Sequence, residues 1–130
     1  MTRITGRRAS EPPRGRFTRP PRPRTFPRMA PLVTVALVQF QPVKGAYAAN
    51  VARLGRLLAA CAALDPRPDV VQLPETAPTG YFVEGGVREL AVTAGTMARD
   101  LDAAYRAGCA ESGQPVRPLD VLVGFYEVWR

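Results

Sequence analysis

Three short apolar runs alternate with two longer stretches of helical periodicity, and this order restricts the folds open to the chain. The runs cover residues 32–40, 69–73 and 119–126, and Pro, Gly or polar residues bound each of them. Residues 50–64 and 96–110 instead repeat apolar side chains every three or four positions, which is the spacing of a helix with one buried face. The order strand–helix–strand–helix–strand predicts an α/β domain with a parallel sheet and right-handed crossovers.

The same order predicts that one face of the sheet is uncovered. When both crossovers have the same hand, two helices can cover only one face. Strands rich in Val and Leu, such as those in residues 32–40 and 119–126, are typical of a sheet buried on both faces. We therefore expect an incomplete domain or a partner on the second face, and a homo-oligomer is one way to cover it.

The first thirty residues differ from the rest of the chain in charge and composition. They hold nine Arg and one Glu, a net charge of +8, whereas residues 31–130 hold nine Lys or Arg and ten Asp or Glu, a net charge of −1. Ile4, Phe17 and Phe26 are isolated among Arg and Pro and offer little to bury. We predict a disordered arm over residues 1–30 and a folded domain over residues 31–130.

Composition also limits the chemistry of the chain. It contains no histidine, which excludes a Ser–His or Cys–His catalytic pair made from its own residues. Cys61 and Cys109 lie far apart and cannot complete a tetrahedral zinc shell. No apolar run reaches the roughly 18 residues that span a bilayer, and residues 1–30 lack the apolar core of a secretory signal. We expect a cytoplasmic protein that needs neither a metal nor an organic cofactor and does not contact a membrane.

One carboxylate directly follows the second apolar run, in the segment Val-Val-Gln-Leu-Pro-Glu of residues 70–75. Ligand sites of open α/β sheets lie outside the carboxyl ends of the strands. Pro74 restricts the backbone before Glu75, and Gly80 allows a tight loop after it. Apolar neighbours that partly shield this carboxylate would suit it to proton transfer. On these residues alone, a strand that simply reaches solvent remains the alternative.

The residues around this carboxylate resemble the first signature of the nitrilase, or carbon–nitrogen hydrolase, superfamily. The resemblance rests on Leu73-Pro74-Glu75 followed in register by Thr79-Gly80-Tyr81. Three further segments are similar to the family: its opening strand at residues 35–40, an Asn at the start of its first helix at Asn50, and its third strand at residues 121–127. The resemblance extends over residues 32–130.

The resemblance implies a four-layer α-β-β-α sandwich, of which residues 31–130 would form the first half, and a Glu–Lys–Cys catalytic set. In that mechanism a cysteine thiolate attacks an amide or nitrile carbon, the glutamate transfers the protons, and the lysine stabilises negative charge on the substrate. Only the glutamate maps onto this chain, at Glu75. Lys44 and Cys109 do not match the family's positions, and we interpret Glu127 as a structural residue.

We therefore expect a hydrolase of carbon–nitrogen bonds other than peptide bonds, acting on a small-molecule amide or nitrile. The chain itself should be inactive, because the nucleophile is absent. One alternative is a glutamine-hydrolysing domain such as those of NAD synthetases, which resembles the same signature. Another is a non-catalytic binding or interaction fragment whose basic arm contacts a polyanion, although nucleic acid is not the partner we expect.

Overall fold

Within the residues that the structure describes, two helices and three strands follow one another in the predicted alternating order. The computed structural model describes residues 31–81 and 86–128, so the predicted arm over residues 1–30 lies outside the described residues. The elements are β1 (Val35–Leu37), α1 (Tyr47–Ala62), β2 (Val70–Gln72), α2 (Ala94–Ser112) and β3 (Asp120–Leu122). This confirms a mixed α/β fold.

All three strands run parallel, with β2 in the centre of the order β1-β2-β3. Within β2, Val71 pairs with Ala36 on one side and with Val121 on the other. Each strand holds three residues, fewer than the apolar runs such as residues 32–40 suggested. Proline contributes to the difference, because Pro74, shortly after β2, has no N–H with which to continue the ladder.

Both helices begin earlier than their apolar periodicity indicated. The prediction placed the start of the second helix at Thr96, whereas α2 begins at Ala94 because Thr93 caps it. The Thr93 hydroxyl accepts a hydrogen bond from the backbone N–H of Thr96 at 3.2 Å, which satisfies one of the free donors of the first turn. Neither α1 nor α2, the helices of the described residues, has the length and apolar content needed to cross a membrane.

The core lies between the helices and one face of the sheet. It is built from the buried side chains Leu54, Leu58, Val71, Leu73, Leu101 and Tyr105. On the opposite face Val35, Leu37 and Leu122 are 47%, 69% and 58% exposed. Successive side chains of a strand point to opposite faces, so helices on one side leave every second residue uncovered. The described part of the chain therefore has the bare sheet face that its sequence predicted.

Candidate active site at the end of the central strand

Glu75 lies just beyond the carboxyl end of β2. The backbone N–H of Leu73 still donates to the carbonyl of Leu122 at 2.9 Å, so the central strand remains bound to its neighbour almost up to this residue. The segment after β3 also passes close by. A Cβ atom added to Gly124 would lie 3.3 Å from the Cα and 3.4 Å from the Cγ of Glu75, so a larger residue would press on the carboxylate side chain.

A cavity of about 280 Å³ adjoins the carboxylate between the ends of β2 and β3. Its lining comprises Gln72, Leu73, Glu75, Leu122, Val123 and Gly124. The sequence argument expected apolar neighbours to shield Glu75, but its side chain is exposed. The reason is that Gln72 and Leu122 are themselves exposed, because among the described residues nothing covers their face of the sheet.

Tyr81 holds the Glu75 carboxylate directly. Its hydroxyl donates a hydrogen bond to Oε2 of Glu75 at 2.8 Å. This bond, followed by partial desolvation and the negative charge of Glu75, raises the pKa of the Tyr81 phenol, because loss of the phenol proton would place two negative charges side by side. The two ends of the signature, Pro-Glu and Thr-Gly-Tyr, thus meet in space.

The loop between these two residues is tightly wound and strained at its start. The backbone N–H of Gly80 donates to the carbonyl of Thr76 at 2.7 Å, and that of Thr79 donates to the same carbonyl at 3.0 Å. Thr76 has a φ of 53°, a left-handed conformation that is unfavourable for a β-branched residue. Its hydroxyl is buried and lies within reach of the Tyr81 phenol, whose pKa it lowers. Strain of this kind is common at functional sites.

Asn50, fully buried in the first turn of α1, anchors this loop. Its Nδ2 donates to the carbonyls of Val43 at 2.7 Å and Pro78 at 3.0 Å, and its Oδ1 accepts from the N–H of Val43 at 2.8 Å. The N–H of Gly45 also donates to the carbonyl of Thr79 at 2.8 Å. Sequence reasoning included Asn50 only through the family resemblance and missed this role.

Among the described residues, neither cysteine lies beside Glu75. Cys61 and Cys109 lie near the carboxyl ends of α1 and α2. Crossover helices run opposite to their strands, so these ends lie toward the amino-terminal ends of the strands, whereas Glu75 follows a carboxyl end. Burial also raises the pKa of the Cys61 thiol, which disfavours the nucleophilic thiolate. Lys44 is nearer, since a Cβ on Gly80 would lie 3.5 Å from the Lys44 Cα.

Glu127 is tied into the fold through its backbone. It forms a parallel bridge with Val92, and the flanking N–H of Val128 donates to the carbonyl of Val92 at 3.2 Å. Its side chain is exposed. The bridge connects the segment after β3 to the residues that precede α2.

The fold and the site define a parallel α/β chain with one candidate general base at the end of its central strand. Among the described residues no group of three Asp, Glu or Cys side chains is placed to hold a metal ion. No protein-family model, no curated protein and no solved structure matches the chain.

Proposed function

We propose that this chain carries the general base, Glu75, of a cytoplasmic carbon–nitrogen hydrolase of the nitrilase type. The observation that carries the proposal is the geometry at Glu75. The residue follows the central strand of a parallel sheet, where ligand sites of such folds lie, and Tyr81 of the same signature binds its carboxylate at 2.8 Å.

The proposal includes the four-layer α-β-β-α sandwich of that family. The described residues supply one helix layer and one sheet, and the free face of that sheet carries Val35, Leu37 and Leu122. A second sheet packed on this face would bury these side chains and shield the cavity beside Glu75. The bare face supports the proposal, because parallel sheets are generally covered on both sides.

In the proposed reaction the Glu75 carboxylate takes the proton of a cysteine thiol. A thiol with the ordinary pKa of about 8.5 is mostly protonated at neutral pH, so it needs a base to become a thiolate. The thiolate attacks the carbonyl carbon of a small amide. With a nitrile the same attack gives a thioimidate, which adds one water and releases ammonia to reach the thioester. A lysine ammonium stabilises the negative charge that develops on the amide oxygen. Glu75 returns the proton to the leaving amine, and it then activates the water that hydrolyses the thioester.

Neither cysteine of this chain is proposed as that nucleophile, because both lie toward the amino-terminal ends of the strands, away from Glu75. Residues 1–130 should therefore release no ammonia from simple amides, nitriles or glutamine. Steady release that Glu75→Gln abolishes would show that a nucleophile is present in the chain and would contradict this part of the proposal.

The decisive experiment reads the transcript beyond codon 130 in all three frames. A frame that encodes a lysine and then a cysteine at the end of an apolar strand supports the hydrolase. The extended protein should then hydrolyse an amide, a nitrile or glutamine, and Glu75→Gln should abolish that activity. Turnover that survives Glu75→Gln, or the absence of such a frame, would refute the proposed function.

A second candidate function is an interaction role, and the exposed sheet face favours it. In that case the chain would bind a partner through Val35, Leu37 and Leu122, which are exposed, and Glu75 would have no catalytic part. This candidate is favoured if the chain binds a partner protein while the protein extended beyond codon 130 hydrolyses no amide, nitrile or glutamine.

A further inference from the structure

We propose that Tyr81 is the positioning residue of the general base: its hydroxyl holds Oε2 of Glu75, so that Oε1 is the oxygen that exchanges protons during catalysis. This inference rests on the proposed function, because it assigns a task to each oxygen of the carboxylate. Nothing in the signature by itself distinguishes the two oxygens or relates Tyr81 to either of them.

The first support is the contact itself. Oε2 accepts the Tyr81 hydroxyl at 2.8 Å, a normal length for a bond between a hydroxyl and a carboxylate. Among the described residues no other hydrogen bond to the Glu75 side chain is present. Because Oε2 is held by this bond, Oε1 is the oxygen that remains open to other partners, and its position is defined. Without the bond, an exposed glutamate would rotate about its side-chain bonds.

The second support is the rigidity of the donor. A tyrosine has only two side-chain torsions, so it fixes a partner at low entropic cost. Its backbone follows the loop in which Gly80 N–H donates to Thr76 at 2.7 Å. Asn50 ties that loop to α1 through the carbonyl of Pro78. The tyrosine hydroxyl is therefore placed by the tertiary fold, and displacement of a catalytic group by about 1 Å can cost on the order of 100-fold in rate.

The third support is the ionisation of the tyrosine. The hydrogen bond to Glu75, with partial desolvation, raises the pKa of Tyr81 above its ordinary value of 10.0. At neutral pH the phenol therefore keeps its proton and acts as a donor to the carboxylate. A tyrosine in this state does not compete with Glu75 as a base, which is consistent with positioning and not with proton abstraction.

Nuclear magnetic resonance of the full chain with 13C-labelled tyrosine tests the pairing. In the Glu75→Gln variant the pKa of Tyr81 should fall toward that of an ordinary phenol, while the pKa of Tyr47 stays unchanged. The matched control is Asp100→Asn, because Asp100 accepts the Tyr47 hydroxyl at 2.9 Å. That variant should lower the pKa of Tyr47 only. An unchanged Tyr81 pKa in Glu75→Gln would overturn the pairing.

Tyr81→Phe tests positioning as opposed to stability. Three-bond couplings of the Glu75 side chain should report one rotamer in the wild-type chain and averaging in the variant. The free energy of unfolding, measured with urea, should change by less than about 0.5 kcal/mol, as is usual for an exposed surface position. Identical couplings in both proteins would refute the inference. Neither measurement requires turnover, so a failed hydrolase assay leaves these results interpretable and a failed pairing leaves the hydrolase proposal standing.

Discussion

Gly55 of α1 and Gly108 of α2 face each other where the two helices cross. A Cβ atom added to Gly108 would lie 2.7 Å from the Gly55 carbonyl oxygen, and one added to Gly55 would overlap the carbonyl of Ala104. Real Cβ atoms do not approach backbone this closely. The helices can therefore pack at this separation only because both positions lack a side chain.

We expect Gly55→Ala to destabilise the chain by about 2–3 kcal/mol, because the added methyl group must push α2 away from α1. Gly95→Ala is the matched control, since a Cβ at Gly95 meets nothing within 4 Å. That substitution should stabilise the protein by about 0.5 kcal/mol through helix propensity. Urea unfolding of both variants measures the effects, and a Gly55→Ala protein as stable as wild type would contradict the crossing geometry.

Asn50→Ala should destabilise the chain by about 2–4 kcal/mol, because it leaves polar groups of Val43 and Pro78 without their partner. Arg53→Ala is the control on the same helix. Its guanidinium donates to the carbonyl of Gln41 at 3.2 Å and lies 4.6 Å from the centre of the Phe40 ring, and loss of these contacts near the surface should cost about 1 kcal/mol. Hydrogen exchange at Gly45 should also accelerate in Asn50→Ala. Equal stability of the two variants would argue against an anchoring role.

Thr76→Gly should stabilise the chain by about 1 kcal/mol, because glycine adopts a φ of 53° without the cost borne by a β-branched residue. Thr93→Ala should have the opposite effect, a loss of about 1 kcal/mol, since it removes the cap of α2. Thermal unfolding measures the stability of both variants. If Thr76→Gly is less stable than the wild type, the contacts of the threonine side chain stabilise the fold by more than its backbone strain destabilises it.

Stability should fall as the pH rises from about 10 to about 12. Burial first, and then the hydrogen bond to Asp100, raises the pKa of Tyr47 from 10.0 to about 12. The folded chain thus holds this proton more tightly than the unfolded chain, so the contribution is complete below pH 10 and is lost through pH 12.

Asp100→Asn should lower the upper end of that pH window, because one cause of the raised pKa is removed. Asp102→Asn should leave it in place, since Asp102 pairs with Arg106 at 2.8 Å. Urea unfolding across pH 9 to 12.5 supplies the measurement. If the wild type, Asp100→Asn and Asp102→Asn lose stability over the same pH range, the Tyr47–Asp100 pair does not contribute to the pH dependence of stability.

The isolated chain should self-associate or be only partly folded. Leu37 and Leu122 are 69% and 58% exposed on the bare face, and each 100 Å² of apolar surface left in water forfeits about 2.5 kcal/mol. Changing both leucines to Gln should shift sedimentation toward monomer. Changing the exposed Ala52 and Ala107 of the helices to Gln should not. A monodisperse wild-type monomer with a sharp unfolding transition would show that the face is already covered.

The order of the elements and the position of Glu75 were predictable from the sequence. Apolar spacing within ten to fifteen residues separates strand from helix, because the two backbones repeat at 2 and 3.6 residues. Element ends were less predictable. The start of α2 depends on the cap formed by Thr93, and the short strands depend on which backbone groups find partners in a neighbouring strand.

The contacts that organise the candidate site and those that join the two helices were decided only by the tertiary structure. Asn50 reaches Pro78 across 28 residues, and Tyr47 reaches Asp100 across 53. Even the Tyr81–Glu75 bond, six residues apart, depends on a loop whose shape is held by α1. Local periodicity carries no information on such pairs, because their geometry arises only when helices and strands pack. The sequence by itself therefore determined which elements form and where the carboxylate lies, and packing decided what holds that carboxylate in place.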